Sequence, residues 1–175
     1  LVNLPNTAAA LPAYILPKNV ALMTKHGVYT TSEMLARHEI HMEKYCKLIS
    51  IEAATLVDMV QHSILHAASR YEGVLCQTIL QKKQALPHAD CRVETALAES
   101  ILTLNGELLD DTVALKTALE TAPETDGEHM LRYYHDTIFA QMNKVRASID
   151  KLETLVAGDY WPYPCLLYTS PSPRD

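Results

Sequence analysis

One long run without helix breakers most constrains what this chain can fold into. No proline occurs between Pro17 and Pro87, and Gly73 is the only glycine between residues 28 and 87. Thr30 followed by Glu33 has the spacing of a capping box, a common helix start. The run therefore predicts a helix of roughly fifty residues from residue 31, preceded by a shorter helix that Gly27 ends.

Composition also favours helix. The chain has five glycines and one phenylalanine, and 48% of its residues are apolar against 21% charged. A chain of this kind can form a core and is not a disordered tail. Its formal net charge of −6 argues against nucleic acid and anionic membranes as partners. No uninterrupted apolar run reaches the ~20 residues of a membrane span, so no membrane partner is expected.

The four cysteines indicate a reducing compartment. They show no CxxC pair and no regular spacing, so a disulfide framework is not expected. Cys46 and Cys76 lie within helical pattern, where a free thiol usually serves as a small core side chain.

Two further helices are expected. Asp90 is a suitable N-cap for a helix over residues 91–120, and a third helix over residues 128–157 is ended by Gly158. Apolar positions in both recur at spacings of three, four and seven, as in helices that pack side by side. These positions are Leu97, Ile101, Leu104, Leu108 and Leu115 in the second helix, and Leu131, Tyr134, Ile138, Met142, Val145, Ile149, Leu152 and Val156 in the third.

The expected fold class is all-α, with long antiparallel helices forming a three-helix bundle. A short helical and irregular N-terminal segment precedes it, in which Pro5, Pro12 and Pro17 leave room for at most one helical turn over residues 7–11. Because the first helix is longer than the other two, its first half, residues 31–50, should overhang. The apolar stripe of that half must then be covered by the N-terminal segment or by a missing domain, and the missing domain is favoured. The stripe consists of Leu35, Met42, Tyr45 and Ile49.

Two histidine pairs have spacings that suit a metal ion. His62 and His66 are four residues apart, so both imidazoles reach one side of a helix. His38 and His41, flanked by Glu39 and Glu43, form a second group. Neither completes a metal-binding motif, because HEIH lacks the second histidine of HExxH. No metal site is predicted.

Polar side chains elsewhere offer no nucleophile either. His135 and Asp136 are placed to pair, but the sequence suggests no serine or cysteine nucleophile beside them. Asp111 falls at a seam position, where a polar residue often fixes helix register. With no glycine-rich phosphate loop, no catalytic, cofactor-binding or metal residue is predicted in this chain.

Several separated motifs resemble one family. LPNT…ALPAY, KHGVYTTSEM, RHEIHMEKYCKLISIEA and VDMVQHSILHAA resemble the segment after the catalytic domain of type III glutamine synthetases, and MNKVRASIDKLETLVAGDYWPYP resembles that family's last helix and C-terminus. The likeness covers residues 1–164, although the middle helix contributes only its helical character. His66 departs from the pattern, since relatives usually carry proline there. That change is expected to straighten a bend.

The last eleven residues do not continue the resemblance. CLLYTSPSPRD, residues 165–175, reads as the translation of a widely used sequencing adapter, and it is excluded from fold reasoning. A PxxP-like ligand or linker is the rival interpretation. The chain is accordingly divided into an N-terminal segment (1–29) after a missing catalytic domain, a helical domain (30–158), a native extended tail (159–164) and a non-native tail (165–175).

The resemblance implies a cytoplasmic glutamate–ammonia ligase as the parent protein. In that family ATP phosphorylates the glutamate side chain, ammonia displaces the phosphate, and Mg²⁺ or Mn²⁺ holds the nucleotide. The residues that do this would lie upstream of Leu1. The helices here would serve packing and assembly, with the upstream catalytic domain and other subunits as partners. A free-standing helical interaction module remains the alternative.

Overall fold

The computed structural model describes residues 3–123 and 127–163. Within these ranges the chain is helical and contains no strand, so the all-α class is confirmed. The elements are α1 (Thr7–Tyr14), α2 (Pro17–Lys25), α3 (Thr31–Met59), a π-helical segment (Val60–Ile64), α4 (Leu65–Ala85), α5 (Arg92–Glu120), α6 (Gly127–Tyr133), a second π-helical segment (Tyr134–Phe139) and α7 (Ala140–Leu155). The predicted non-native tail, residues 165–175, lies outside the described residues.

The N-terminal segment is more helical than predicted. Asn6 caps α1, because its Oδ1 accepts the N–H of Ala9 at 2.8 Å. The helix then continues through Pro12 to Tyr14, where only one turn was expected. Proline lacks an N–H, so Pro12 cannot donate a hydrogen bond to the carbonyl of Ala8. The loss of that one bond does not end this short helix.

The turn between α2 and α3 is capped at both ends, as predicted. Gly27 has a φ of 65° and occupies C′ of a Schellman motif: the N–H of Val28 donates to the carbonyl of Met23 and that of Gly27 to the carbonyl of Thr24. The N–H of Thr30 donates to Glu33 Oε2 at 2.7 Å, and the N–H of Glu33 donates to Thr30 Oγ1 at 3.3 Å. The hydrogen bond from the backbone N–H of Thr30 is the main cause that lowers the pKa of the Glu33 carboxyl.

The long first helix is confirmed as one helix over Thr31–Ala85. It shows no break at Ser50 or His66, and instead it contains the π-helical turn Val60–Ile64. Of the helices in the described part of the chain, this one is long and apolar enough to cross a membrane by length and composition alone. That evidence is weak, since the core helix of a soluble protein meets the same criteria.

The boundaries of the later helices differ slightly from the prediction. The helix α5 begins at Arg92, so Asp90 lies one residue before the N-cap position, although its Oδ1 still accepts the N–H of Arg92 at 3.0 Å. The third long helix ends at Leu155, three residues before Gly158. A turn follows, in which the N–H of Tyr160 donates to the carbonyl of Ala157.

The chain divides into two compact units. Of the described residues, unit 1 comprises 3–55, 115–123 and 127–142, and unit 2 comprises 56–114 and 143–163. The predicted seams are largely confirmed within each unit. In unit 1 the side chains of Leu115, Leu131 and Ile138 are buried, and in unit 2 those of Ile101, Leu108, Val145, Leu152 and Val156. The remaining seam positions, Leu97, Leu104, Tyr134, Met142 and Ile149, are half-buried.

The predicted overhang with an exposed apolar stripe is wrong. Met42 and Ile49 are buried and Tyr45 is half-buried, and only Leu35 is exposed. Residues 31–50 belong to unit 1, where the N-terminal segment and the start of the third helix supply apolar cover. The length argument failed because it allowed the first helix to pack only through its second half.

Candidate functional site

The histidine pairs of the first helix do not converge. His38 is buried, whereas His41, Glu39 and Glu43 are exposed. The ring of His41 meets the ring of Tyr14 edge-on, with centroids 6.3 Å apart. The helix therefore directs the two imidazoles of this pair to different environments.

The second pair lies at the solvent surface of unit 2. His62 and His66 are both exposed, and Nδ1 of His62 lies 2.9 Å from Oδ1 of Asp58, one helical turn earlier. Among residues 3–123 and 127–163, no group of three or more His, Cys, Asp or Glu side chains could hold a metal ion.

The predicted contact between His135 and Asp136 is present. Nδ1 of His135 lies 2.7 Å from Oδ1 of Asp136, and the His135 ring stacks on Phe139 with centroids 6.2 Å apart. All three residues belong to the π-helical segment Tyr134–Phe139. The predicted polar seam position, Asp111, is half-buried, and the fully buried polar side chain on α5 is its neighbour Thr112. Oγ1 of Thr112 donates to the carbonyl of Leu108 at 2.6 Å.

A compact apolar cluster forms the centre of unit 1. Met42, Cys46 and Leu131 are buried together. The partly buried side chains packed against them are Ala8, Leu11, Tyr45, Met130 and Tyr134. The cluster therefore joins α1, α3 and the start of the third long helix. Burial raises the pKa of the Cys46 thiol and, as the largest of several causes, that of the Tyr45 hydroxyl.

The thiols divide between the interior and the surface. Cys46 and Cys91 are buried, which confirms the core role expected of Cys46. Cys76 is exposed, so the core role predicted for it is wrong. Helical pattern alone did not tell which face of α4 would be covered.

Unit 1 also contains a buried polar atom without a partner. Nε2 of His38 has no hydrogen bond, although the side chain is only 4% exposed. A buried nitrogen of this kind carries a desolvation cost, which the surrounding apolar packing offsets. The sequence did not single out His38 as a core residue, although its spacing of four from Met34 and Met42 was the available signal.

Unit 2 is held by polar contacts as well as apolar ones. Nδ2 of Asn105 donates to Oγ of Ser69 at 3.0 Å and to the carbonyl of Leu65 at 3.5 Å, which ties α5 to α4. Nζ of Lys82 donates to Oε1 of Glu94 across the turn between these helices. That hydrogen bond is the main cause that raises the pKa of Lys82 and lowers that of Glu94.

The end of the described chain returns to the first helix. The ring of Tyr160 lies against that of Tyr71, with centroids 5.3 Å apart and planes tilted by 46°. Within unit 2, Tyr160 therefore packs on α4, and the predicted extended tail (159–164) begins in a turn at residues 158–160.

Comparisons with known proteins agree with the motifs. The family model described as the glutamine synthetase C-terminal domain matches residues 1–83. A glutamine synthetase of Butyrivibrio fibrisolvens is 32% identical over 175 residues, which cover 93% of this chain and 24% of the relative. A type-3 glutamine synthetase of Dictyostelium discoideum is 28% identical over 171 residues, covering 94% of this chain and 23% of the relative. A glutamine synthetase of Bacteroides fragilis (strain YCH46) is 22% identical over 172 residues, covering 94% of this chain and 23% of the relative.

Over most of its length the chain is therefore similar to the C-terminal region of glutamine synthetases. The resemblance found in the sequence, to the C-terminal region of type III glutamine synthetases, is confirmed. The chain spans about a quarter of the length of the curated relatives it matches.

Proposed function

We propose that this chain is the structural and assembly region of a glutamate–ammonia ligase, and that it contributes no catalytic group itself. The alignment with the Butyrivibrio fibrisolvens enzyme carries the proposal, because it extends over 93% of the chain and not over one isolated motif. The packing of units 1 and 2 supports it, since the potential ligand groups named from the sequence are dispersed or tied to neighbours on their own helix.

The proposed parent enzyme acts in the cytoplasm. ATP would phosphorylate the side-chain carboxylate of glutamate, and ammonia would then displace the phosphate. Mg²⁺ or Mn²⁺ would neutralise the phosphate charge. The residues for these steps are assigned to a catalytic domain outside this chain. The partners of the helices are that domain and other subunits of the same enzyme.

We also propose that the long helices form an antiparallel three-helix bundle. Segments of all three contribute buried side chains to unit 1, for example Ile49, Leu115 and Leu131. Segments of all three do so again in unit 2, for example Ile64, Ile101 and Val145. The seven-residue spacing from Leu131 through Ile138 to Val145 is that of helices crossing at about +20°.

A hybrid enzyme tests the proposed role. Residues 1–163 should replace the matching C-terminal quarter of the Butyrivibrio fibrisolvens enzyme with retention of ATP-dependent glutamine formation and of the native assembly. The same hybrid carrying Met42→Glu is the control, since it disrupts the unit 1 core and should lose assembly. Residues 1–163 alone should form no glutamine.

Two results would contradict the proposal. One is glutamine formation by residues 1–163 alone. The other is a hybrid that behaves identically with and without Met42→Glu. The coding sequence upstream of Leu1 gives an independent check: a β-rich metal-binding ligase domain is expected there, and a start codon immediately before Leu1 would favour the free-standing interaction module.

A further inference from the structure

An exposed apolar stripe runs along α5. It consists of Leu102, Gly106, Leu109 and Val113. The three side chains are 60%, 47% and 52% exposed, while Ile101 and Leu108 on another face of the same helix are fully buried. The spacing of four, three and four residues is that of a helix seam, so α5 has a second seam facing solvent.

No contact among the described residues requires glycine at position 106. It lies in the middle of α5, where glycine is a poor helix former, and a Cβ built on it would meet no atom within 4 Å. Glycine in a helix also permits another backbone or a large side chain to approach closely. The absence of side-chain volume at this position therefore suits a partner outside the described residues.

We propose that the stripe pairs with the same stripe of a second copy of this chain in antiparallel orientation. With the two-fold axis midway between residues 107 and 108, Leu102 faces Val113 of the second copy. Gly106 then faces Leu109 of the second copy, so a large side chain enters the space that glycine leaves. The stripe on one copy therefore fits the same stripe on a second copy when the two helices run in opposite directions.

Charge complementarity supports the same register. Glu99 and Lys116 are exposed and lie on α5 one turn beyond either end of the stripe. In the register defined by the apolar side chains, Glu99 of each copy faces Lys116 of the other, which gives two symmetric attractive pairs. An unrelated partner would not require opposite charges at symmetric positions of one helix.

The pairing would give the proposed assembly role a defined contact surface. It rests on the proposed function only in that it assigns the chain to subunit assembly. Three side chains and one glycine per copy form a contact at the low end of specific interfaces, below about 1,200 Å². The dimer of the isolated chain should therefore be weak, and its charge pairs should be sensitive to salt.

Sedimentation equilibrium of the 175-residue chain at low ionic strength tests the pairing by charge exchange. In a dimer of either single variant, Glu99→Lys or Lys116→Glu, both symmetric pairs join like charges. Each variant should therefore weaken the dimer at least about tenfold. The double variant restores opposite charges in exchanged positions and should return the dissociation constant to near that of the unmodified chain. Circular dichroism verifies that each variant keeps its helix content.

Two further variants separate the stripe from general apolar exposure. Leu109→Asp should abolish the dimer, because it places two charges at the centre of the contact. Val93→Glu is the matched control, since Val93 is 70% exposed on the same helix but on another face, and it should leave the dimer unchanged.

The proposal is overturned if the unmodified chain stays monomeric up to about 1 mM. It is also overturned if the double variant is as weak as the singles, which would assign the stripe to a different partner, such as the rest of the parent enzyme. A dimer that is insensitive to all these substitutions would place self-association on another surface. That outcome leaves the hybrid-enzyme test of the proposed function unaffected, so the two failures are distinguishable.

Discussion

The tip of the Met42 side chain occupies the place where a side chain on Gly127 would begin. A Cβ built on Gly127 would lie 2.8 Å from Cε of Met42 and 3.6 Å from its Sδ. Gly127 is the first residue of α6, and Met42 belongs to the buried cluster of unit 1. A side chain at position 127 would therefore displace the tip of Met42 from its place between α3 and α6.

Gly127→Ala should lower the free energy of unfolding by about 1 kcal/mol, because Met42 must move within a packed cluster. The loss should shrink in a Met42→Ala background, giving a coupling of about 0.5–1 kcal/mol in a double-mutant cycle measured by urea unfolding. Gly73→Ala is the control: a Cβ there meets nothing within 4 Å, so better helix propensity should make it neutral or stabilising. Equal effects of Gly127→Ala in both backgrounds would show that the contact is unimportant.

Met42→Glu should unfold unit 1 or lower stability by more than about 3 kcal/mol, because it buries a charge in an apolar cluster. Ile40→Glu is the matched control on the same helix, since Ile40 is 60% exposed and Met42 only 6%. It should change stability by less than about 0.5 kcal/mol. Thermal unfolding followed by circular dichroism distinguishes the two. Similar melting temperatures for both variants would contradict the buried position of Met42.

The hydrogen bond between Lys82 and Glu94 should stabilise the turn between α4 and α5 in a pH-dependent way. The pKa of Glu94 is lowered from 4.5, so its contribution is complete above that value and is lost as the pH falls through the folded-state pKa. The pKa of Lys82 is raised from 10.5, so its contribution is complete below that value and is lost at higher pH. Glu94→Gln should therefore lower the melting temperature at pH 7 and have little effect at pH 3. Glu107→Gln, at an exposed position of α5, is the control, and a pH-independent effect of Glu94→Gln would argue against the ion pair.

The two parts of the C-terminus should behave differently. Deleting residues 165–175 should leave the melting temperature unchanged, because that string reads as translated adapter. Tyr160→Ala should lower stability by roughly 1 kcal/mol, since it removes the ring that packs on Tyr71. At this chain length that loss corresponds to about 2–4 °C in a thermal scan. A fall of several degrees on deleting residues 165–175 would show that this tail packs.

Local signals in the sequence predicted the local structure well. The capping pair Thr30 and Glu33 and the C′ glycine Gly27 were correct, because caps depend on residues within one turn. The buried seam through Leu131, Ile138 and Val145 was also predicted, since a seven-residue repeat specifies one helix face.

The sequence left open which distant segment covers the first half of the long helix. The cover over Met42 comes from Leu11 and Leu131, which are far from it in sequence, so no spacing rule could reveal it. His38 was considered as a metal ligand because its residue type was given more weight than its spacing from Met34 and Met42. Among the described residues, His38 is buried while His41 is exposed, and His62 and His66 both lie at the surface.

The π-helical turn Val60–Ile64 has a consequence for chain length. Each of its i→i+5 hydrogen bonds encloses one residue more than an α-helical bond does, so the turn holds one surplus residue while the helix continues on either side. His62 is the exposed residue within it, whereas Val60 and Ile64 are buried. Deletion of that one residue would convert the turn to regular α-helix and leave the apolar faces before and after it in phase. Homologous sequences that differ by one residue at this point would therefore share the same fold, and an alignment gap placed there marks a change in helix winding without a change in packing.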